Sequence, residues 1–374
     1  MLKKFSVSNY RQFNETLEFD LTASNYAFKQ DCVKDDLVKL ALIYGENGTG
    51  KSTLGWAMFD LVSHLTDYQS SFNQENYLNA LSEKNVATFE FNFEFVDKYK
   101  KNKLVNYFYT KNEHKNLISE KLEIDGEIIV DYQVGQPFST TLSGTEHLNK
   151  SINPSQNLSA IKYIFSNTNL DKRNPNNALF IKFIEFINHI LFFRSVFDGR
   201  NFIGYKSGSN NIEQDILSNK NLKNLEEFLK SFGLDFQLVN VKQINKQVIG
   251  IKVGKKILPF FDTVSTGTLS LTFFYYWWQS IQKNEVKLLF IDEFDCSYHY
   301  ALSEKIVEKL KELPDTQVIL TTHNTNLLSN DLIRPDCGYI INGKEIKSLN
   351  HCTEKELRQA HNLGRLYQAG AFNV

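Results

Sequence analysis

Cysteine, proline, methionine and net charge are all scarce: 374 residues hold four cysteines, six prolines and two methionines, with a formal net charge of −1. The cysteines, Cys32, Cys296, Cys337 and Cys352, stand at no zinc-ligand spacing, and His351 beside Cys352 has no second half. Scattered thiols suit a reducing compartment rather than a disulfide framework. The near-zero charge offers no bulk attraction for nucleic acid or an anionic membrane, so such a contact must come from a local patch. Long apolar runs are missing too. The opening Met1-Leu-Lys-Lys-Phe-Ser-Val lacks a signal peptide's apolar core, and Ile187 to Phe193 or Lys287 to Ile291 are too short to span a bilayer. No heptad is sustained, which excludes a long coiled-coil arm. What remains is a globular cytoplasmic protein without a membrane partner, whose 42% apolar and 23% charged residues can bury a sizeable core.

The patterning that is present divides the chain. Phe5 and Val7, then Leu17, Phe19 and Leu21, recur with the period of half-buried strands. Leu40-Ala-Leu-Ile-Tyr44 is a continuous apolar run entering a glycine-rich turn, and helix-forming sequence follows from Ser52 to about Leu65. Val86 to Phe95 alternates, and Lys121 to Tyr132 reads as a hairpin turning at Asp125-Gly126. From Pro137 to Pro259, Asn-, Ser- and Lys-rich linkers separate helical stretches, Ala178 to Phe193 and Leu222 to Phe232, before an alternating piece from Asp235 to Val253. Regular patterning then resumes with a helix from Phe260 to Ile281, a strand at Leu288 to Ile291, a helix from Leu302 to Leu313 and a strand at Val318 to Leu320. In the tail, Leu357, Ala360, Leu363, Leu366 and Tyr367 fall on one face of a helix expected over Glu356 to Phe372.

Chemistry-bearing residues sit at the ends of these strands. Gly45-Glu46-Asn47-Gly48-Thr49-Gly50-Lys51-Ser52 fits G-x-x-x-x-G-K-[ST] between a strand pattern and a helix pattern, the context that motif requires. Its glycines let backbone N–H groups converge on phosphate oxygens, and the helix N-terminus adds partial positive charge. This stretch, with Thr53, is the expected ATP-phosphate site, Lys51 reaching the β- and γ-phosphates and the Ser52 hydroxyl ligating Mg²⁺. Lys287-Leu-Leu-Phe-Ile-Asp292-Glu293 is an apolar strand ending in two acids. Asp292 suits the Mg²⁺ shell, and Glu293 suits the base that takes a proton from the attacking water. Thr321-Thr322-His323-Asn324 follows another apolar strand, where an imidazole can hydrogen-bond the γ-phosphate. Lys51, Glu293 and His323 are thus the expected catalytic residues, with Ser52 and Asp292 as metal ligands.

Val264-Ser265-Thr266-Gly267-Thr268, ahead of a helix, resembles the ABC signature, whose serine hydroxyl and glycine backbone bind the γ-phosphate held by the opposite protomer. Ser265 and Gly267 match it; Thr266 and Thr268 depart from the transporter pattern and are similar to OLD, RecF and SMC heads. Asn9-Tyr10-Arg11-Gln12-Phe13 resembles the N-[FY]-R-x-[FL] element of those ATPases, which implies that Arg11 approaches the nucleotide phosphates. Asp292 to His299 is similar to the D-E-x-x-x-x-L-H run of OLD-like ATPases, and Gln133 and Gln136 are Q-loop candidates. The ending Leu357 to Phe372 resembles that of small OLD-like ATPases from bacterial phage-defence and abortive-infection loci.

The resemblance, which touches the N-terminus, both lobes of the head and the tail, implies an α/β fold, an ABC-type P-loop ATPase head with a mixed central sheet and an antiparallel β lobe; the patterning adds a mostly helical insertion. Residues 1–136 and 260–374 would form the head and 137–259 the insertion. It further implies a homodimer or higher oligomer that closes on ATP and Mg²⁺ and controls a separate effector, such as a nuclease. Only about fifty residues follow His323, too few for a nuclease domain in this chain. The alternative is a RecF- or SMC-like DNA-repair ATPase with a nucleic-acid partner, for which Lys98, Lys100, Lys101, Lys103, Lys111, Lys115 and Lys121 supply a local basic run. The favoured reading of those lysines is as guards of a solvated hairpin edge. A transporter motor is disfavoured by the absence of a Gly-Gly-Gln signature.

Overall fold

Two seven-stranded sheets carry the fold, and the period of each strand tells which sheet it joins. The computed structural model describes residues 1–66, 76–194, 203–204, 212–242, 247–283 and 285–373. Along the first third run β1 (Leu2–Ser8), β2 (Leu17–Asp20), β3 (Leu40–Tyr44), α1 (Lys51–Leu65), β4 (Val86–Val96), β5 (Asn102–Asn112), β6 (Leu117–Ile124) and β7 (Glu127–Gln133). Helices α2 (Ala160–Asn167) and α3 (Pro175–Asn188) lead into β8 (Ile190–Arg194), followed by α4 (Ile212–Ser218), α5 (Leu222–Ser231), β9 (Leu238–Lys242), β10 (Gln247–Val253) and β11 (Lys256–Pro259). The remainder holds α6 (Phe260–Thr263), α7 (Thr266–Gln282), β12 (Leu288–Asp292), α8 (Tyr300–Lys311), β13 (Gln317–Thr321), β14 (Gly338–Ile341), β15 (Ile346–Ser348) and α9 (Leu363–Gln368).

The alternating strands form an antiparallel sheet in the order β7-β6-β5-β4-β1-β2, extended beyond β7 by residues 139–140. In β4 the odd-numbered Ala87, Phe89, Phe91, Phe93 and Phe95 are buried, while Thr88, Glu90, Asn92 and Glu94 are half-exposed. One wet face and one dry face produce this alternation. The β6–β7 hairpin turns at Asp125 and Gly126, both with positive φ (49° and 84°), as a two-residue type I′ turn requires. The continuous apolar runs form the other sheet, in the order β8-β12-β13-β3-β14, extended beyond β8 by residues 203–204 and beyond β14 by the short β15. Its strands from β8 to β14 are parallel, and every residue of β3, β12, β13 and β14 is buried.

Three expectations need correction. The 137–259 section contains α2 to α5 but is not a mostly helical body apart from the head, because β8 pairs in parallel with β12 in the central sheet. The apolar stretch from Ala178 to Phe193 therefore breaks at His189 into a helix and a strand, since the edge of β12 offers backbone partners that outweigh helix periodicity. The section also ends in an antiparallel three-stranded sheet, β9-β10-β11. Second, the helix expected over Glu356 to Phe372 shrinks to α9. Asn330 Nδ2 donates to the carbonyls of Arg358, Gln359 and His361, which holds that stretch as a turn, and Asn362 then caps α9.

Third, the lysine run is not an open basic patch. Lys111 is buried and ion-paired to Asp60 at 2.6 Å; Lys103 pairs with Asp125 and Lys121 with Glu123, while Lys98 donates to the Arg173 carbonyl. Only Lys100, Lys101 and Lys115 of that group lack a side-chain partner among the described residues.

Helix α1 is buried on nearly every side between the two sheets. Its Gly55 lies against the central sheet, where an added Cβ would stand 2.7 Å from the Phe290 ring and 2.8 Å from that of Phe192. One turn on, Asp60 accepts from Tyr77 Oη (3.1 Å), Tyr109 Oη (2.9 Å) and Lys111 Nζ (2.6 Å), fastening the helix to the antiparallel sheet. Near the helix end, His64 Nε2 meets Tyr107 Oη at 2.7 Å, and Tyr107 donates to Glu120 at 2.7 Å. Burial lowers the His64 pKa, against the opposing pull of Glu120 3.4 Å away. Burial alone would raise the Glu120 pKa, but the hydrogen bond and charge of His64, and hydrogen bonds from Tyr107 and Ser159, hold it below the usual value. Removing one partner of a buried pair leaves the other charge uncompensated. Asp60→Ala should therefore cost about 3 kcal/mol of stability, read as a lowered urea midpoint.

Candidate nucleotide-binding site

The phosphate loop joins β3 to α1 and is shaped by its glycines. Gly48 and Gly50 hold φ of 80° and 102°, values that a side chain resists. At Gly45 a Cβ would lie 2.5 Å from the Ile341 carbonyl oxygen and 2.6 Å from Thr49 Oγ1, so the loop closes only without one. No side chain caps α1, which leaves its first-turn N–H groups open to an anion. Lys51 is buried and turns back to donate to the carbonyls of Gly45 (2.8 Å) and Glu46 (3.0 Å). Burial lowers the Lys51 pKa, while the neighbouring Asp292 and Glu293 carboxylates raise it. Glu46 and Asn47 are exposed on the loop, and Ser52 is half-buried in the first helical turn. This cradle, with a cation at its rim, fits a polyphosphate.

The acid pair closes the other side. Asp292 is the last, fully buried residue of β12. The hydroxyl of Thr321, at the end of the neighbouring β13, donates to Asp292 Oδ1 and accepts from the Glu293 N–H, both at 2.7 Å. One hydroxyl thus fixes both acids. It also holds Glu293 at φ 49°, a left-handed conformation that costs a non-glycine residue roughly 1–2 kcal/mol. The strain turns the chain out of the strand at Glu293, and strained backbone of this kind clusters at functional sites. The Ser52 hydroxyl and the Asp292 carboxylate are hard oxygen donors of the kind Mg²⁺ takes.

His323 follows on the adjacent loop. Partial desolvation and then the Lys51 charge lower its pKa, against the opposing pull of Glu293, Asp295 and Asp292. That shift favours the neutral imidazole, which can donate one hydrogen bond. Its loop is pinned by Thr322, whose hydroxyl donates to Asp295 (2.8 Å) and whose N–H donates to the Ile43 carbonyl. Behind it sits the tail: Gly364 N–H donates to the Leu328 carbonyl, Gln368 Nε2 donates to Thr325 Oγ1, and the Tyr367 ring lies 6.1 Å from that of Tyr44.

The expected signature breaks the helix foreseen over Phe260 to Ile281. Chain from α6 passes through Val264 to Ser265, whose hydroxyl caps α7 by accepting from the Thr268 N–H at 3.3 Å. Gly267 sits where a Cβ would be 2.7 Å from the Ser297 carbonyl oxygen. Ser265 is exposed, and no hydrogen bond joins it or Gly267 to the phosphate loop. The structure thus brings residues 45–53, Asp292, Glu293 and His323 together and leaves Ser265 and Gly267 outside that group. Gln133 and Gln136 are exposed at the rim of the antiparallel sheet, without a hydrogen bond to the loop. Arg11 stands in a turn at φ 50°, its guanidinium carbon 5.8 Å from the Tyr10 ring centroid and its Nε buried without a hydrogen-bond partner. The side chains from that turn that touch the loop are the next two, Gln12 through a hydrogen bond to the Gly48 carbonyl and Phe13 against Gly50. Sequence reasoning overlooked Thr321 and Gln12; the one available signal was their place inside motifs noticed for other residues.

A glycine-rich loop between a buried strand and a helix, a strand-end acid pair and a histidine beyond the next strand, on a mixed sheet with an antiparallel partner, are the marks of a P-loop ATPase domain. The chain belongs to the family described as "AAA domain, putative AbiEii toxin, Type IV TA system", whose model matches residues 40–329. Among solved structures it is similar to an Smc head bound to the C-terminal winged-helix domain of ScpA, with 13% identity, 93% of this chain and 97% of that one covered, and a TM-score of 0.47. It is similar also to the SMC head domain from Thermotoga maritima (14% identity, 93% and 98% covered, TM-score 0.43). A third is the Smc head of Pyrococcus furiosus with an extended coiled coil, bound to the C-terminal domain of ScpA (12% identity, 93% and 96% covered, TM-score 0.45). No curated protein matches the chain. Among the described residues, no helix is long and apolar enough to cross a membrane.

Thr321→Val keeps the side chain's shape and removes the shared hydroxyl. It should cost about 2 kcal/mol of stability from two unsatisfied buried groups and slow ATP turnover about a hundredfold by misplacing both acids. Urea unfolding and a steady-state phosphate-release assay check the two effects.

Proposed function

We propose that this chain is the ATP-binding and ATP-hydrolysing subunit of a bacterial anti-phage, abortive-infection system. It works as a homodimer whose closure on ATP controls a separate effector, such as a nuclease. The observation that carries the dimer is the placement of Ser265 and Gly267. They stand at an exposed helix N-terminus, outside the cluster of phosphate loop, acid pair and histidine, so the site of one chain lacks its signature half. A second copy can supply it. The defence setting is supported by the family description, which speaks of an abortive-infection toxin and a toxin–antitoxin system.

In this reading Lys51 neutralises the phosphates and residues 45–53 orient them. Bound Mg²⁺, held by Ser52 and Asp292, would supply charge neutralisation at the phosphate oxygens. Glu293, aimed by its left-handed turn, accepts a proton from the attacking water. His323 donates to the γ-phosphate from a loop that the Thr322–Asp295 contact holds in place. A DNA-repair clamp has less support, because the lysines that suggested it are largely paired within the protein.

Composite sites make a specific prediction about mixtures. Lys51→Ala should abolish hydrolysis by removing the main phosphate charge, and Ser265→Arg should abolish it by blocking the opposite protomer. Mixed together, the two inactive variants should regain activity, since half of the heterodimers' sites pair an intact loop with an intact signature. A phosphate-release assay across mixing ratios checks this; a flat baseline at every ratio argues against sites shared between protomers.

A further inference from the structure

The N-terminal turn leans on the phosphate loop through a residue to which the nucleotide chemistry above gives no task. Tyr10 and Phe13 bond each other across the turn, N–H to carbonyl at 2.9 and 2.8 Å, with Arg11 left-handed between them. The buried Phe13 ring lies on Gly50, where an added Cβ would stand 2.7 Å from the ring and 2.6 Å from Gln12 Nε2. Gln12 then spans the loop. Its Nε2 donates to the Gly48 carbonyl at 3.0 Å, and its Oε1 accepts from the Thr53 hydroxyl at 3.0 Å. One carboxamide ties the crown of the loop to the first turn of α1.

We propose that Gln12 is a positioning residue for nucleotide binding, holding the Gly48–Thr49 peptide with its carbonyl outward and its N–H facing into the loop. The inference rests on the reading of that loop as the ATP-phosphate site. A trans peptide points its C=O and N–H in opposite directions, so fixing one fixes the other. On the inner side the Thr49 N–H reaches only the Glu46 carbonyl, at 3.4 Å, a long bond that a phosphate oxygen can replace at little cost. Gly48, at φ 80° and with open space around its missing Cβ, offers little resistance to a peptide flip of its own. The carboxamide supplies that resistance. Its orientation is set by the Gly48 carbonyl, which needs a donor, whereas the Thr53 hydroxyl can serve either end. A glutamate at this place would keep the bond from Thr53, lose the donor to Gly48, and set a negative charge beside the phosphates.

The test is calorimetric titration with MgADP and a non-hydrolysable MgATP analogue, on wild type, Gln12→Ala, Gln12→Glu, Thr53→Val and the Gln12→Ala/Thr53→Val double variant. Nucleotide-free melting temperatures and steady-state hydrolysis accompany it. Gln12→Ala should weaken both nucleotides about tenfold, the worth of one or two hydrogen bonds, with the loss appearing in KM rather than kcat. Gln12→Glu should be weaker still, and the double variant should bind little worse than the poorer single, because both changes break one bridge. Gln12 is exposed, so the melting temperature without nucleotide should stay within about two degrees of wild type, as for surface substitutions generally. Wild-type affinity in Gln12→Ala, equal affinity of the Gln and Glu forms, or a loss that tracks a fall in melting temperature would overturn the proposal. Wild-type protein that binds neither nucleotide would instead overturn the ATP-site reading beneath it.

Discussion

Asp60 takes a lysine ammonium and two tyrosine hydroxyls into the interior, and it does so from the middle of the helix that begins at Lys51. The rest of the head depends on that joint. The phosphate loop can hold a shape only if α1 is fixed, and α1 touches both sheets: Gly55 against Phe290 and Phe192 of the central one, Asp60 and His64 against the tyrosines of the other. A charge removed from water must be matched closely or it destabilises. The match here forces β5 and the start of α1 into one register. The same segment reaches the N-terminal turn, since the Tyr77 hydroxyl serves Asp60 while its carbonyl accepts from the Arg11 N–H.

The catalytic side shows the same economy of means. Strands β3, β12 and β13 run parallel, so their C-terminal ends deliver the phosphate loop, the acid pair and the histidine loop to one edge. Thr321 links the last two through its single hydroxyl, and Thr322 N–H links the histidine loop to β3 through the Ile43 carbonyl. The tail then packs on the chain just beyond His323, with Gly364 so close that a Cβ would meet the Thr325 carbonyl oxygen at 2.7 Å. Leu363 of the tail is fully buried, while Leu366 and Tyr367 stay partly exposed.

The parts legible in the sequence were those set by local periodicity and by motifs. The alternation of β4 and the turn at Asp125-Gly126 follow from side chains a few residues apart, and the phosphate loop needs glycines that only one backbone shape explains. What escaped depends on partners distant along the chain. Strand β8 looked helical because its apolar run continues that of α3, and only the edge of β12, about a hundred residues later, makes it a strand. Lys111 looked solvated because Asp60 lies on another element. Thr321 and Gln12 were in view as letters of motifs, but a hydroxyl shared by two acids and a carboxamide spanning a loop are facts of three-dimensional distance. The shortened tail helix has the same cause, since Asn330 takes three carbonyls that an extended helix would have used.

In the proposed function one chain holds only half of each ATP site, and the exposed Ser265 helix end completes the site of a second copy. Sedimentation of Glu293→Gln with MgATP tests it most directly, because that change keeps the phosphate cradle and removes the base that would consume the nucleotide. A species of twice the 43.3 kDa chain mass is expected with MgATP, and less of it with MgADP or when Ser265→Arg is added. An assembly whose mass is the same with MgATP, with MgADP and with no nucleotide, and is untouched by Ser265→Arg, would contradict it.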